Sequence, residues 1–126
     1  MTSARAFQVT FDCHDPQRVA DFWCDVLGYV DLGGDPSWAA AGDPDGVGPR
    51  LFFQRVPEGK TVKNRLHLDV RIGPGLVGEE RLAALEAECA RLLPLGAERV
   101  RLLEADEENE SCLVMRDVEG NEFCLD

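Results

Sequence analysis

Four ionisable side chains occupy every second position between Asn64 and Ile72, separated by leucine and valine. Alternate side chains of an extended segment point to opposite faces, so this spacing predicts a strand with one polar and one apolar face. The polar face carries Arg65, His67, Asp69 and Arg71. An imidazole beside a carboxylate can bind a metal, transfer a proton or hydrogen-bond a ligand. His67 is therefore the first candidate functional residue.

Similar polar rows occur in three other predicted strands. Gln8, Thr10 and Asp12 alternate with apolar residues near the N-terminus, and Cys124 alternates with Phe123 near the C-terminus. The same parity in "RLFFQRV" places Phe52 and Gln54 on the polar side. Such a face is either a solvated outer surface or the wall of a cleft, and its repetition favours the cleft. The candidate ligand-binding residues are Gln8, Thr10, Asp12, Phe52, Gln54, His67, Asp69 and Cys124.

The elements that must position these residues follow from hydrophobic periodicity. In the first half, "AFQVTFDC" predicts a strand with Phe7, Val9 and Phe11 on its buried side. A helix is predicted from Pro16 to Leu27, between a capping aspartate and a terminal glycine. The segments "YVDLGG", "SWAAAG" and "RLFFQRV" then predict three short strands.

The second half repeats this plan. After the strand "RLHLDVRI", the segment "GEERLAALEAECARLLP" predicts a helix that stops at Pro94. Its apolar stripe consists of Leu82, Leu85, Cys89, Leu92 and Leu93. Three strands follow, in "ERVRLLE", "SCLVMRD" and "NEFCLD". The sequence therefore predicts an α+β fold of two βαβββ modules, about 5–57 and 63–126, in a single domain of residues 1–126.

Composition limits the class of partner. The chain has 126 residues and a net charge of −11, which disfavours nucleic acid and anionic membranes. The N-terminus enters a strand pattern at once, leaving no room for a signal segment, so a cytoplasmic protein is expected. The five cysteines are scattered without a C-x-x-C pair, which predicts reduced thiols.

The order and spacing of several segments resemble the vicinal oxygen chelate superfamily. These are "DPQRVADFWCDVLGY", "FFQRVPEGKTVKNRLHLDV" and "MRDVEGNEFCL", and they are similar to glyoxalase-like domain proteins in particular. The superfamily contains glyoxalases, extradiol dioxygenases, fosfomycin-modifying enzymes and bleomycin-binding proteins. The resemblance implies that the modules form a curved, partly open barrel around a central cleft, and that the protein is a homodimer.

The resemblance also implies where a metal would bind. In metal-dependent members the ligands come from the first and last strands of each module. Gln8 and His67 match the first-strand positions, but Cys124 stands where a glutamate is usual, and Gln54 or its neighbour Phe53 occupies the fourth position. Two amides and a thiol suit a hard dication poorly, so no metal and no other cofactor is predicted. Were a metal bound, His67 and Cys124 would be its ligands.

The function expected from these observations is binding of a small organic ligand in a polar cleft. Three alternatives stay open at this point. One is a metal-dependent lyase, isomerase or dioxygenase with an unusual ligand set. Another is acid–base or nucleophilic catalysis by His67 with Cys124, for which no orienting group is evident. The third is an interaction module with a vestigial cleft. No catalytic residue is assigned.

Overall fold

The structure is a computed structural model that describes residues 3–126, divided into two compact units between Gly59 and Lys60. Each unit contains one α-helix and one four-stranded sheet, and neither sheet closes into a barrel. The predicted α+β fold of two βαβββ modules is confirmed. The single domain expected from the sequence stays a prediction. No helix within residues 3–126 is long and apolar enough to cross a membrane.

The first unit has the strand order β1-β4-β3-β2, in which β1 and β4 are parallel and the other pairs are antiparallel. Its elements are β1 (Gln8–Cys13), α1 (Pro16–Leu27), β2 (Val30–Asp35), β3 (Trp38–Gly42) and β4 (Arg50–Arg55). The parallel β1–β4 pair requires a long connection, which α1 and the β2–β3 hairpin provide.

Local chemistry determines both ends of α1. The carboxylate of Asp15 accepts a hydrogen bond from the backbone N–H of Arg18 at 3.3 Å, and Pro16 occupies the first turn. Gly28 ends the helix in the left-handed conformation, with φ of 69°, which glycine adopts without steric cost. The helix contacts the first sheet through Val19, Ala20, Phe22, Trp23 and Val26, all of which are buried.

Aromatic rings form the core between α1 and the first sheet. Phe11 stacks on Phe53 at 5.1 Å and lies 5.4 Å from Trp23, measured between ring centroids. Odd positions of β1 face this core and even positions face away from it, as the alternation predicts. The prediction that Phe7 lies on the buried side is wrong, because β1 begins at Gln8 and Phe7 is 68% exposed.

The second unit repeats the topology with the strand order β5-β8-β7-β6, again with one parallel pair, β5 and β8. Its elements are β5 (Asp69–Val70), α2 (Gly78–Leu92), β6 (Glu98–Leu103), β7 (Cys112–Arg116) and β8 (Glu122–Leu125). The inner side of this sheet buries Leu113, Met115, Phe123 and Leu125, and α2 contacts β7 and β8.

The strand expected over residues 65–72 is much shorter than its alternation suggests. Only Asp69–Val70 is regular strand, although the backbone N–H of Cys124 still donates to the Leu68 carbonyl at 3.0 Å. Before it, the Asn64 side chain donates to the Leu66 carbonyl at 2.5 Å and bends the chain. Leu66 is therefore 70% exposed rather than on the buried face.

Helix α2 ends close to the predicted residue but packs differently. Leu85 and Cys89 are buried as part of the predicted stripe, whereas Leu93 lies in a 3-10 turn and is 44% exposed. The stripe also includes a residue that periodicity did not select, Arg81, which is only 6% exposed. Its guanidinium donates to the backbone carbonyls of Gly73 and Ser111 at 2.8–3.0 Å.

Candidate functional site

The outer face of the first sheet is a network of polar side chains. Arg50 donates to the Gln8 amide oxygen at 2.9 Å, and Gln8 in turn donates to the Thr10 hydroxyl at 3.3 Å. The amide nitrogen of Gln54 donates to the Asp12 carboxylate at 2.7 Å. The register explains these pairs, since Gln8 lies opposite Arg50 and Asp12 opposite Gln54. The predicted residues of the first module therefore meet on one face and already hold one another in place.

An aromatic pair lies on the same face as this network. The rings of Trp38 and Phe52 are stacked, with centroids 5.7 Å apart and an interplanar angle of 14°, and both side chains are half-buried. The Arg50 guanidinium lies 5.6 Å from the centre of the Phe52 ring, within cation–π distance. Trp38, for which the sequence leaves open a place at the edge of the cleft or of a partner surface, was not among the predicted ligand-binding residues.

The second unit contains a cavity of about 950 Å³ on the outer side of its sheet. His67, Asp69 and Cys124, the three predicted residues of the second module, all line it. Four side chains of its lining are basic and six are acidic: Lys63, Arg71, Arg81 and Arg101, against Asp69, Glu104, Asp106, Glu110, Glu122 and Asp126. Acidic groups outnumber basic ones, so the cavity favours neutral or cationic molecules over anions.

His67, Asp69 and Cys124 form a compact cluster inside this cavity. One ligand atom from each of the three lies within 4.8 Å of the other two. His67 Nε2 is 3.1 Å from Asp69 Oδ1, so the carboxylate orients the imidazole. The parallel pairing of β5 with β8 brings Asp69 directly opposite Cys124. The cluster has the donor atoms of a metal site and the hydrogen-bonding groups of a ligand site.

The Cys124 thiol is unsuited to act as a nucleophile. Burial, followed by the nearby Cys112 thiol and the Asp69 carboxylate, raises its pKa to about 12. The thiol therefore stays protonated at neutral pH, whereas a catalytic cysteine needs a depressed pKa. All five cysteines lie within the described residues, and none forms a disulfide.

Glu122 lies on the same face as Cys124, but other groups already hold its carboxylate. Lys60 Nζ is 3.1 Å from Oε1, and the backbone N–H of Asn64 donates to Oε2 at 3.1 Å. Burial by itself raises the pKa of Glu122, yet these hydrogen bonds and the Lys60 charge together hold the pKa below its ordinary value. Glu122 therefore serves to fix the segment around Asn64, and it does not replace the glutamate that the resemblance implies at position 124.

The metal set implied by the resemblance does not fit the residues present. In the first unit, the Gln8 oxygen accepts from Arg50 and the Gln54 amide donates to Asp12. Neither position offers a carboxylate, and a hard dication prefers several charged oxygen ligands. In the second unit, a thiol replaces the expected carboxylate. We therefore derive no catalytic step through a metal at these four positions.

Sequence reasoning missed two residues of the second unit that bear on the cavity. Cys112 is near Cys124 on the same face of the sheet, because Val114 is the register partner of Cys124 and Cys112 lies two residues before Val114. Arg81 contributes a guanidinium whose donors satisfy the carbonyls of the β5–α2 loop and of Ser111. Alternation in "SCLVMRD" could have indicated Cys112, whereas nothing local indicates that Arg81 is buried.

The fold is that of the glyoxalase, bleomycin resistance and dioxygenase proteins. A glyoxalase/bleomycin resistance/dioxygenase family enzyme from Burkholderia phytofirmans PsJN has a TM-score of 0.69 at 15% identity, covering 94% of both chains. A variant of the fosfomycin resistance protein FosX from Listeria monocytogenes, complexed with Mn(II) and dihydroxypropylphosphonic acid, has a TM-score of 0.72 at 13% identity, covering 99% of this chain and 90% of the other. The bleomycin-binding protein of Streptomyces verticillus, complexed with copper(II)-bleomycin, has a TM-score of 0.61 at 16% identity. The match covers 99% of this chain and 97% of the other.

The family follows from a match along almost the whole chain. Residues 8–125 match the glyoxalase-like domain, and the protein belongs to that family. No curated protein matches the sequence. The resemblance to the vicinal oxygen chelate superfamily is thereby confirmed, while the identities of 13–16% mean that the solved structures establish the fold alone.

Proposed function

We propose that this protein binds a small organic ligand, neutral or cationic, without requiring a metal. The cavity of about 950 Å³ in the second unit carries this proposal, because its volume is within the range of small-molecule sites. His67 and Asp69 supply a donor and acceptors at one point of the cavity wall, and Cys124 adds a neutral thiol. Leu76 and Leu103 add apolar surface.

We propose that the polar face of the first unit is a separate surface that can contact a ligand. The stacked Trp38 and Phe52 rings present partly exposed aromatic surface, onto which a flat or apolar group can pack. Gln8, Thr10, Asp12 and Gln54 flank that surface with an amide, a hydroxyl and a carboxylate. The similar protein that holds copper(II)-bleomycin is a relevant precedent for organic ligands in this fold. We also propose that the protein is cytoplasmic and, as the resemblance implies, a homodimer.

A thermal-shift screen tests the cavity. The probes are copper-free bleomycin and copper(II)-bleomycin, a set of neutral and cationic aromatic compounds, and dihydroxypropylphosphonic acid as the anionic comparison. A binder must raise the melting temperature, because it stabilises the folded state. His67→Ala should abolish the shift, and His14→Ala, which alters the other histidine, should retain it. Absence of any shift across the set would contradict the proposal and favour a vestigial cleft.

Tryptophan fluorescence tests the aromatic surface separately. Trp23 is 1% exposed in the core, so a ligand can change only the emission of Trp38. Binders from the screen should quench the native protein and leave Trp38→Phe unchanged. Quenching that persists in Trp38→Phe would show that the ligand does not contact the aromatic pair. Stoichiometric zinc, nickel, manganese or iron in protein purified without chelator, lost in His67→Ala, would instead favour the metal-dependent lyase, isomerase or dioxygenase.

A further inference from the structure

A β-bulge in β6 turns one arginine towards the cavity of the second unit. The register shifts between Arg99 and Arg101, so that Arg99 lies opposite the buried Met115 and Arg101 lies opposite Val114. Arg99 accordingly faces α2, where its guanidinium donates to Glu86 at 2.8 Å. Arg101 lines the cavity on the other face of the sheet. Bulges often occur beside functional sites, where they redirect a side chain in this way.

The Arg101 guanidinium has donors available for a ligand. Its side chain is exposed, and among residues 3–126 no carboxylate forms an ion pair with it. Arg71, Arg99 and Arg116 each have such a partner. A guanidinium presents its donors in a planar fork that matches the two oxygens of a carboxylate. Arg101 is therefore suited to bind an anionic group inside the cavity.

Strand register aligns Arg101 with the carboxylate of Asp69. Asp69 on β5 lies opposite Cys124 on β8, and Cys124 lies opposite Val114 on β7. Val114 in turn lies opposite Arg101 on β6. The four residues form one row across the sheet, and all of them line the cavity. Neighbouring strands are about 4.8 Å apart, so roughly 14 Å separate the Cα atoms at the two ends of the row.

This row has a negative end, a positive end and an uncharged middle. The Asp69 carboxylate, which His67 contacts at 3.1 Å, can accept hydrogen bonds from a cationic group. The Arg101 guanidinium can donate to an anionic group at the opposite end. Hydrogen bonds of about 3 Å at each end leave roughly 8 Å between the two charges of a bound molecule. The charges of a single α-amino acid are too close together, whereas an extended dipeptide spans about 7 Å.

The other charges of the cavity disfavour a ligand that is only an anion. Glu104, Asp106 and Glu110, from the segment between β6 and β7, also line the cavity. Their carboxylates repel a molecule with negative charge alone, and a positive charge on the same molecule offsets that repulsion. A molecule with both charges can therefore use Arg101 where a simple anion cannot.

We propose that the ligand of the second unit is a zwitterion whose cationic group binds Asp69 and whose carboxylate binds Arg101. This inference rests on the organic-ligand function proposed above and deepens it, because it names the class of molecule. It also assigns to Arg101, which the sequence did not single out, the role of selecting that class.

Calorimetric titration of the full chain tests this class of ligand. The zwitterionic probes are ε-aminocaproate and diglycine, while n-hexylamine and hexanoate each carry one of the two charges on a similar chain. We expect ε-aminocaproate to bind at least about tenfold more tightly than either of the latter, since charge-assisted hydrogen bonds form at both ends. Equal affinity for ε-aminocaproate and n-hexylamine would overturn the inference. Binding of other organic compounds but of neither zwitterion would also overturn it, and would leave the proposed function standing.

Variants test the two ends of the row. Arg101→Met should reduce the affinity for ε-aminocaproate to that for n-hexylamine, whereas Asp69→Asn should weaken the binding of both. Arg99→Met is the matched control, because Arg99 lies on the same strand but faces α2, and it should change neither affinity. Circular dichroism establishes that each variant is folded. Unchanged binding of ε-aminocaproate in folded Arg101→Met, or a loss confined to Lys63→Met at another basic position of the cavity wall, would disprove the role of Arg101.

Discussion

Cys124 shows how neighbouring groups determine the chemistry of one side chain. Its thiol is half-buried, it lies opposite Asp69, and the Cys112 thiol is adjacent. Burial and these neighbours all favour the neutral thiol over the thiolate, so they raise the pKa in the same direction. Cys124 is thus expected to react slowly with electrophiles.

Alkylation kinetics test the protonation of Cys124. Its pKa rises from 9.0 to about 12, so its thiolate population near pH 8 falls by roughly a thousandfold. We expect iodoacetamide to modify Cys124 far more slowly in the folded protein than in urea, measured by peptide mass spectrometry. Equal rates in the folded and unfolded chains would show that the surroundings do not suppress the thiolate.

Replacement of Glu122 tests its role as an anchor for the segment before β5. Glu122→Gln removes the charge that faces Lys60 and weakens the acceptor for the Asn64 backbone N–H. We expect a loss of about 1–2 kcal/mol in the free energy of unfolding, measured in urea at neutral pH. Glu107→Gln, on an exposed turn, is the matched control and should change little. An equal effect of both substitutions would contradict the anchoring role.

At the scale of elements, the two helices differ in how their N-termini are held in place. Helix α1 has a side-chain cap from Asp15 and a terminal Gly28. Helix α2 begins after Val77 without any side-chain cap. The Arg81 guanidinium of its first turn instead donates to Gly73 and to the residue preceding β7, linking the helix to both. The second helix therefore depends on a tertiary contact where the first depends on local sequence.

Removal of the Arg81 guanidinium should reveal this dependence. Arg81→Met keeps much of the side-chain volume but leaves the Gly73 and Ser111 carbonyls without these donors. We expect a loss of about 2–3 kcal/mol in unfolding free energy. Arg91→Met, at the C-terminal end of the same helix, should cost less than about 1 kcal/mol, because its ion pair with Glu88 is at the surface. Equal losses would contradict the structural role of Arg81.

At the scale of the whole molecule, the chain consists of two units with the same strand topology. Both units have the same strand order, with a single parallel pair that carries candidate site residues. Proteins that share only 13–16% of its residues have the same fold. In this chain, the alternation of apolar and polar positions separates the face that packs on the helix from the face that carries the candidate site residues.

Acid should destabilise the protein in a defined range of pH. Hydrogen bonds from the backbone N–H groups of Gly48 and Glu108 lower the pKa values of Asp43 and Asp106 from 3.8, and that of Glu122 is lowered from 4.5. Lowered pKa values contribute stability above the unfolded-state values that is lost as the pH falls through the folded-state values. Unfolding free energy from urea titrations should therefore decline below about pH 4. Constant stability down to pH 2 would contradict these assignments.

Oligomeric state is the remaining prediction at this scale. The resemblance implies a homodimer, for which sedimentation equilibrium should give a mass near twice 13.9 kDa. With a net charge of −11, two copies repel each other, so dimerisation should strengthen with added salt. A mass of 13.9 kDa at every protein and salt concentration would exclude the dimer.

The sequence by itself determined the repeated topology and the bounds of α1, because these depend on local periodicity, on Asp15 and on Gly28. It also indicated the polar faces, since alternation fixes the side of a sheet on which a residue lies. Only the tertiary structure shortened β5, buried Arg81 and placed Cys112 beside Cys124. Each of these depends on contacts between segments that are distant along the chain. Local periodicity contains no information about strand register or about which carbonyls require a donor.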